Sequence, residues 1–384
     1  MNIVYINKSM AQWGGVERVY CDKMNYLSKK HGYNITLITY EQGNHPIPYH
    51  LDDKIKVIDL DLRFFPLFKN NAIQRQILFL QKLRLLKSKL NKALKEINPD
   101  YVVLTTYELD KFPCILSLPY RFIVESHIWM EEILQSKKHN NILAKVISNF
   151  IDRRRISYMN NAQYLVTLTN ADKEDWKKYI DIPIAVIPNM VTKGFNTIST
   201  YSTESKRIIC VGRLVPQKGF DYLMEAWNLI AKKYDSWEIE IFGDGDLKTT
   251  LNNKITEYNL SDSMKIHNPT DKIFDEYNNS SIYVLSSRFE GFALVLLEAM
   301  SCGLPCVAFD CPHGPSDIIT HGEDGLIVPL GDIRKLAEAI EWMITHREER
   351  LRMSNNARLK AQRYTAEAIM PQWVEFFEKI ANYV

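Results

Sequence analysis

Long apolar stretches are missing from this chain. The longest uninterrupted apolar run covers only residues 292–297, whereas a membrane-spanning helix needs roughly 20 such residues. The opening residues 1–7 form a short apolar run without a basic flank or a small-residue cleavage site. They therefore predict a first β-strand rather than a signal peptide. We expect a cytoplasmic protein that does not cross a bilayer.

An excess of charge of either sign is also missing. The 384 residues include 48 Lys and Arg against 46 Asp and Glu, a net charge of +2, which argues against a dedicated nucleic-acid binder. Low-complexity tracts and short-period repeats are absent, and the 46% apolar content is ordinary for a folded protein. A chain of this length suits two domains of about 100–200 residues each.

Cysteine is scarce, with six residues in the whole chain, and in a cytosolic protein these are expected to remain reduced thiols. Three of them, Cys302, Cys306 and Cys311, lie close to His313 and could be taken for a zinc site. Structural zinc sites favour closely spaced Cys pairs, and these residues fall in an apolar strand pattern. The pattern favours small buried residues over metal ligands.

The dinucleotide-binding signature G-x-G-x-x-G is absent, as is the acidic residue that would hold an adenosine ribose. This argues against a nicotinamide-dependent oxidoreductase. Paired glycines do occur at Gly14 and Gly15, between the first predicted strand and a helix predicted over residues 16–30. There a backbone can approach a phosphate or sugar closely, because glycine has no side chain and the helix N-terminus carries partial positive charge.

Acidic residues are missing from residues 63–95, which contain nine Lys or Arg. Apolar side chains recur there at spacings of three and four, which predicts one apolar face of a helix. They are Ile73, Ile77, Leu80, Leu83, Leu86, Leu90 and Leu94. Such a helix could contact an anionic membrane surface or a phosphorylated acceptor. It could equally pack on its own domain with a solvated basic face, and the sequence leaves both interpretations open.

Alternating strand-like and helical runs predict parallel α/β architecture in two doubly wound domains. The predicted strands are residues 3–6, 35–39, 101–105, 122–125 and 164–168 in the first domain and 207–211, 238–242, 281–285 and 305–309 in the second. We place the domains at residues 1–190 and 205–364, joined by a polar linker at 192–205. A final helix within 365–384 is expected to return to the first domain.

Two loops of the second predicted domain carry candidate binding residues. Residues 211–219, after its first strand, contain Arg213 and Lys218 between glycines, and two such cations can converge on a diphosphate. Residues 288–300 follow a later strand, with Glu290 in a turn and Glu298 about 9 Å further along a helix expected to begin near Phe292. Carboxylates accept hydrogen bonds from sugar and ribose hydroxyls; a salt bridge from Glu298 to Arg213 or Lys218 is the alternative.

The spacing E-x7-E after a strand, together with the G-R-x-x-x-x-K-G loop, resembles bacterial glycosyltransferase family 4, which has the GT-B fold. The resemblance continues through residues 302–305, 310–319 and 324–328. It implies two Rossmann-like domains that face each other across a cleft, an acceptor-side domain followed by a nucleotide-sugar-binding domain. It covers nearly the whole chain and is strongest over residues 211–331.

The resemblance also implies roles for individual residues. It assigns Arg213 and Lys218 to the donor diphosphate and Glu298 to the ribose. It assigns Glu290, together with His127 of the first domain, to the transferred sugar. For the backbone near the donor it points to Gly14, Gly15, Gly291, Phe292, Ala293 and Leu294. The implied reaction retains the anomeric configuration, and it uses no metal and no cofactor. We expect a UDP-linked hexose or N-acetylhexosamine donor and a lipid-linked or growing cell-surface polysaccharide as acceptor.

The chain departs from the family pattern at two positions: Ala293 replaces the usual glycine, and Asp317 replaces the more frequent glutamate. The first departure bears on donor specificity, because a methyl group there could restrict the space beside the sugar. Alternative functions also remain. The pairs Asp59-x-Asp61 and Asp244-x-Asp246 match the metal-binding signature of another transferase fold, although so short a motif is weak. A catalytically silent sugar-nucleotide-binding protein of the same fold would lack the diphosphate cations. A phosphorylase or synthase of similar fold is a further alternative.

Overall fold

The computed structural model describes residues 1–12, 14–64, 72–127, 142–192, 194 and 201–382. The chain forms two compact units. One contains Met1–Pro188 together with Gln372–Val384, and the other contains Asn189–Pro371. Half of the predicted linker at residues 192–205, namely residue 193 and residues 195–200, lies outside the described residues.

The first unit is built on a parallel sheet with the strand order β3-β2-β1-β4-β5-β6-β7. Its strands are β1 Asn2–Asn7, β2 Asn34–Thr39, β3 Lys56–Asp59, β4 Tyr101–Thr105, β5 Phe122–Glu125, β6 Tyr164–Thr167 and β7 Ile184–Val186. Its helices are α1 Gly15–His31, α2 Ala72–Ile97, α3 Phe112–Ile115, α4 Ile142–Ser157 and α5 Asn170–Trp176, with 3-10 turns at Thr106–Glu108 and Tyr158–Asn161. The order reverses between β1 and β4, where such sheets bind their ligands.

The second unit repeats this plan with the order β10-β9-β8-β11-β12-β13. Its strands are β8 Arg207–Val211, β9 Glu238–Phe242, β10 Met264–His267, β11 Ile282–Leu285, β12 Cys306–Asp310 and β13 Gly325–Pro329. Its helices are α6 Phe220–Ile230, α7 Lys248–Glu257, α8 Ile273–Asn278, α9 Leu294–Ser301, α10 Pro315–Ile318, α11 Ile333–Thr345 and α12 Arg347–Ala361, with 3-10 turns at Pro216–Lys218, Ala231–Lys233 and Gln362–Tyr364. Because β8 and β11 are neighbours, the loops that follow them meet at the carboxyl edge of this sheet.

The last helix, α13 Ala366–Asn382, spans the boundary between the two units. Its residues from Gln372 onward belong to the first unit, where its aromatic side chains pack against the sheet. Phe377 lies 6.2 Å from Tyr101 and 6.5 Å from Tyr33 between ring centroids, and Phe376 lies 5.4 Å from Tyr164. This aromatic packing fixes the end of the chain to the first unit.

The sequence correctly predicted the central strands of both sheets and the helix α1. It missed β3, β7, β10 and β13, which are the edge strands of the two sheets. Central strands are covered on both faces and therefore read as continuous apolar runs. Edge strands are more exposed, as the pattern of β3 illustrates, and their mixed composition gave no comparable signal.

The basic helix predicted within residues 63–95 is α2, but its predicted apolar face is only partly buried. Leu86, Leu90 and Leu94 are fully buried in the core of the first unit, whereas Ile77 and Leu80 are 52% and 48% exposed. Residues 65–71 of the segment, and the side chain of Ile73, lie outside what the structure describes. The predicted helix is thus present, and its apolar face packs on the first unit in the C-terminal half of the helix.

Candidate functional site

The loop after β8, residues 212–219, is shaped by its two terminal glycines. A methyl group on Gly212 would lie 3.3 Å from the aliphatic carbons of Lys218, so the lysine stem passes directly over this glycine. Gly219 has φ +60°, and a methyl group there would lie 2.0 Å from the carbonyl oxygen of Ser286. The Ser286 hydroxyl donates to the carbonyl oxygen of Lys218 at 3.0 Å. The loop is thereby held against the end of β11.

The Gly219→Ala variant is expected to lose about 3 kcal/mol of folding free energy, because left-handed backbone costs a non-glycine residue about 1–2 kcal/mol and the clash adds to it. The matched control is Gly322→Ala. Gly322 also has a positive φ, +77°, but no atom lies within 4 Å of the added methyl position. We expect the control to lose only about 1 kcal/mol. Denaturant unfolding of both variants measures the difference, and equal losses would contradict the clash.

Lys218 and Glu290 form an ion pair where the two loops meet. The Lys218 ammonium lies 2.7 Å from Glu290 Oε1, and the two side chains are 13% and 7% exposed. The Ser287 hydroxyl donates to the same oxygen at 2.5 Å. The predicted salt-bridge alternative thus exists, but its carboxylate is Glu290 rather than Glu298. Ser287 was not singled out from the sequence, although a small polar residue at a strand end near Glu290 was an available signal.

Arg213 differs from Lys218 in being exposed. One of its terminal nitrogens lies 3.4 Å from Gln217 Oε1, and Gln217 in turn donates to the carbonyl oxygen of Phe289 at 3.1 Å. An exposed guanidinium on this loop can still move towards an anion, whereas the lysine beside it is already paired.

Arg288 joins the two loops and was not singled out from the sequence. Its guanidinium makes a two-point contact with Asp221 at 2.9 and 2.6 Å and donates to the carbonyl oxygen of Pro216 at 2.7 Å. It also stacks over the ring of Tyr222, 4.0 Å from the centroid. This planar, two-point geometry suits arginine rather than lysine. Arg288 thus connects two elements: it lies in the turn that contains Glu290, and it binds Asp221 in the first turn of α6.

The helix α9 begins at Leu294 rather than near Phe292. Phe292 and Ala293 therefore precede the helix, and both are buried. Glu298 lies within α9 and is also buried, and it accepts a hydrogen bond from the Tyr277 hydroxyl at 3.3 Å. Burial, followed by the charge of Glu298, raises the pKa of Tyr277 well above its usual value, so the tyrosine remains a donor. Tyr277 was another residue that the sequence did not indicate.

The loop after β12 closes the other side of this turn. Glu290 donates its backbone N–H to the carbonyl oxygen of Pro312 at 3.2 Å. Gly314 has φ +125°, and its N–H donates to Asp317 Oδ2 at 3.2 Å. Burial raises the pKa of Asp317, although the hydrogen bond from Gly314 opposes the shift. Asp317, although shorter than the glutamate that is more frequent in the family, thus still reaches the loop backbone.

In the first unit, Gly14 is the N-cap of α1 and Gly15 is its first residue. The Gly14 carbonyl oxygen accepts from the Tyr49 hydroxyl at 3.1 Å, and a methyl group on Gly14 would lie 2.0 Å from Glu17 Oε2. The carboxylate of Glu17 therefore lies against the glycine loop. A phosphate approaching this helix terminus would meet an acidic side chain as well as backbone N–H groups.

His127 follows β5 and is buried, with its Nε2 3.0 Å from Glu125 Oε2. Glu125 also pairs with Lys23 of α1, whose ammonium lies 2.5 Å from both carboxylate oxygens. The sequence indicated the histidine but neither partner. A signal was present, because Lys23 falls on the buried face of α1 that contains Tyr20, Met24 and Leu27.

The residues weighed as metal ligands have other surroundings. Cys302, Cys306 and Cys311 are buried free thiols, and burial raises the pKa of each, to about 12 for Cys302. Asp59 accepts hydrogen bonds from the Thr39 hydroxyl and from the backbone N–H groups of Gln42 and Gly43. Within the described ranges, no group of three or more His, Cys, Asp or Glu could hold a metal ion.

The described part of the second unit thus has a cation–carboxylate pair between two strand-end loops, beside a helix terminus. Residues 197–360, which contain it, match the family model described as Glycosyl transferases group 1, and residues 13–193 match the model described as Glycosyltransferase Family 4. The chain belongs to glycosyltransferase family 4. It is a glycosyltransferase by family, and the family membership predicted from the sequence is confirmed.

Relatives and solved structures agree with this assignment. An uncharacterized glycosyltransferase of Haemophilus influenzae is 29% identical over 94% of this chain and 95% of its own length. The amylovoran biosynthesis glycosyltransferase AmsD of Erwinia amylovora is 25% identical over 94% of this chain and 95% of its own length. The solved structure of Anabaena HepE in complex with UDP and glucose has a TM-score of 0.74 at 18% identity and covers 99% of this chain and 100% of its own. The predicted fold class, two parallel-sheet α/β domains of the GT-B type, is confirmed.

Proposed function

We propose that this protein is a retaining glycosyltransferase that moves a hexose or N-acetylhexosamine from a UDP-linked donor to a lipid-linked or growing cell-surface polysaccharide. One observation carries the proposal: the Lys218–Glu290 pair, with the exposed Arg213 on the same loop, next to the N-terminus of α9. The relative AmsD, named for amylovoran biosynthesis, supports a polysaccharide acceptor. HepE, solved with UDP and glucose, supports a UDP-linked hexose.

Each residue of this arrangement has a proposed task. Arg213 and Lys218 hold the donor diphosphate, and Glu298 binds the ribose. Glu290 contacts the transferred sugar, and Gly291 lets the backbone turn towards it. Backbone N–H groups of Phe292, Ala293 and Leu294 contribute positive potential before and at the helix terminus. Because the Lys218 ammonium is paired with Glu290, an arriving diphosphate must share the lysine with that carboxylate or displace the carboxylate.

Transfer breaks the bond between the anomeric carbon and the diphosphate while an acceptor hydroxyl attacks from the same face. The two cations stabilise the charge that develops on the leaving diphosphate. The departing phosphate oxygen accepts the proton of the acceptor hydroxyl, so no covalent nucleophile is assigned to Glu290. The first unit contributes His127, as a contact to the sugar, and the glycine loop at Gly14 and Gly15. No metal or other cofactor enters these steps.

A catalytically silent sugar-nucleotide-binding protein is the second candidate. The buried position of Glu290, held by both Lys218 and Ser287, favours a reaction over simple retention of a nucleotide. A carboxylate beside the diphosphate does not increase the affinity for a nucleotide, because like charges repel. The same carboxylate stabilises the oxocarbenium-like sugar that forms during transfer.

Calorimetric titration of UDP, GDP and ADP into the purified protein with excess EDTA tests the donor class directly. We expect UDP to bind and the chelator to have no effect. Binding that requires a divalent ion would overturn the metal-free mechanism, and binding of another nucleotide would overturn the donor. Release of UDP from a UDP-sugar then separates an enzyme from a silent binder.

Contact with an anionic membrane through α2 is also proposed. In the described residues no helix is long and apolar enough to span a bilayer. Lys82 and Lys89 donate to the carbonyl oxygens of Leu62 and Leu60, so these two ammonium groups are engaged within the unit. Further exposed cations are available on α2, namely Arg75, Arg84, Lys87, Lys92 and Lys95.

Replacing Arg84, Lys87, Lys92 and Lys95 by glutamine is expected to reduce binding to phosphatidylserine vesicles, because each cation near such a surface is worth roughly 1 kcal/mol. The matched control replaces four exposed lysines of the second unit, Lys232, Lys265, Lys272 and Lys335, and removes the same charge. Flotation with phosphatidylserine and phosphatidylcholine vesicles measures both variants. Equal binding by the two would exclude α2 as the contact.

A further inference from the structure

Three buried ionisable side chains of the first unit form one connected network. Lys23 of α1, Glu125 at the end of β5 and His127 after it are 1%, 2% and 8% exposed. The Lys23 ammonium lies 2.5 Å from both oxygens of Glu125, and His127 Nε2 lies 3.0 Å from Oε2 of the same carboxylate. One carboxylate therefore joins a cation to an imidazole.

Aromatic rings enclose this network. The Lys23 ammonium lies 3.9 Å from the ring centroid of Trp373 and 5.0 Å from that of Tyr20. Tyr20 also meets His127 edge-on at 5.7 Å. Such surroundings exclude water and strengthen every charge interaction inside them. An ion pair buried like this is often no more stable than an apolar replacement, so stability alone is a weak reason for its presence.

The protonation states follow from the contacts. Burial alone would raise the pKa of Glu125, but the charge of Lys23 and the hydrogen bond from His127 outweigh it and lower that pKa. Burial lowers the pKa of Lys23, and the Glu125 carboxylate opposes the shift. Other ionisable groups affected by this carboxylate are Tyr5 and Tyr20, whose pKa values burial raises well above normal. The lowered pKa keeps the Glu125 carboxylate ionised at neutral pH, where both of its oxygens lie 2.5 Å from the Lys23 nitrogen.

An ionised carboxylate only accepts hydrogen bonds, so the proton of the His127–Glu125 bond resides on Nε2. The hydrogen bond to Glu125 therefore sets which ring nitrogen faces the carboxylate and leaves Nδ1 for other contacts. Lys23 contacts both oxygens of the same carboxylate and so holds it in place. The pair thus sets the orientation of the imidazole, as a side chain that contacts a sugar hydroxyl requires.

We propose that Glu125 and Lys23 are positioning residues for the transfer reaction: Glu125 fixes the orientation and tautomer of His127, and Lys23 holds the Glu125 carboxylate in place. This inference rests on the proposed role of His127. It adds a buried lysine and glutamate of the first unit to a reaction whose leaving group is held by the second.

The test compares Lys23→Met, Glu125→Gln, the Lys23→Met, Glu125→Gln double variant and His127→Ala. Three quantities are measured for each: UDP affinity by calorimetry, UDP release from UDP-glucose and UDP-N-acetylglucosamine between pH 5.5 and 9, and the ¹⁵N signals of the His127 ring. UDP affinity is expected to stay unchanged throughout, because the diphosphate residues lie in the second unit. Lys23→Met leaves the Glu125 carboxylate without its two-point partner, so the carboxylate and the ring it holds should lose their fixed orientation and the ring signals should change.

UDP release by Lys23→Met is expected to fall roughly 10- to 100-fold, the loss usual when a residue that orients a metal-ligating histidine is replaced. The double variant replaces an ion pair by a neutral pair that still accepts from Nε2–H. It should fold where the single variant is unstable, keep the orientation and tautomer of the ring and regain most of the lost rate.

Equal losses in the single and double variants without a change in pH profile or ring signals would reduce the pair to a structural role and overturn this inference alone. Unchanged UDP release in His127→Ala would instead overturn the role proposed for His127, and this inference with it. Thermal unfolding of all four variants identifies a misfolded chain, and where Lys23→Met is misfolded the double variant and His127→Ala decide the test.

Discussion

The Arg213→Ala, Lys218→Ala double variant is expected to bind UDP roughly 100-fold more weakly or worse. Each charge-assisted hydrogen bond to a phosphate is worth about 1.5–3 kcal/mol, and 1.4 kcal/mol corresponds to tenfold in affinity. Both cations lie on the loop held against β11 by Gly219 and Ser286, so they act on the same ligand. Calorimetry with UDP in excess EDTA measures the effect.

The matched control for this variant is Lys265→Ala, Lys335→Ala, which removes two exposed lysines from the same unit and should bind UDP normally. Lys218→Ala also strips a buried carboxylate of its cation, so thermal unfolding must accompany the titration. The single Arg213→Ala variant avoids this problem, because Arg213 is exposed and contacts only Gln217 at 3.4 Å among the bonds described for it. Normal UDP affinity in both the double and the single variant would exclude this loop as the diphosphate site.

The Glu290→Gln variant is expected to separate binding from transfer. UDP release from a UDP-sugar should fall roughly 10²–10³-fold, the loss usual when a single preorganised group that stabilises a transition state is removed. UDP affinity should rise about fivefold instead, because neutralising the carboxylate frees Lys218 and removes a negative charge beside the diphosphate. A change of about 1 kcal/mol in the free energy of binding corresponds to ~5-fold in affinity.

Ser287→Ala serves as the control for Glu290→Gln, since it removes the hydroxyl that donates to Glu290 at 2.5 Å but keeps the charge. We expect a small loss of transfer and no gain in UDP affinity. Weaker UDP binding by Glu290→Gln would mean that Glu290 only orients Lys218. Unchanged transfer would remove Glu290 from the reaction altogether.

The sequence contained the loops of the candidate site but not the contacts within them. The motif residues Arg213, Lys218, Glu290 and Glu298 are readable from spacing, because glycine turns and strand ends are local features. The carboxylate partner of Lys218 is not determined by the neighbouring sequence. It depends on β8 and β11 being neighbours in the sheet. This arrangement brings the loop after β8 to the turn after β11 and places Lys218 beside Glu290.

Arg288 and Lys23 are two further residues whose contacts could not be predicted from the sequence. Arg288 looks like an ordinary surface cation in the sequence, yet it clamps Asp221 at the start of α6. Lys23 falls on the apolar face of α1, a signal that a charge is buried there, but its partner Glu125 is 102 residues away along the chain. Patterns within one helix or strand indicate burial; they do not indicate which distant group compensates for the charge.

By itself the sequence determined the two-domain α/β plan, the central strands and the positions of the binding loops, because continuous apolar runs and glycine turns are imposed by burial and backbone geometry close along the chain. Only the tertiary structure decided the edge strands β3, β7, β10 and β13, the pairing of Lys218 with Glu290 and the Lys23–Glu125–His127 network. These depend on which strands become neighbours and on how much of each face is covered, and such long-range packing leaves no periodic trace in the residues that take part in it.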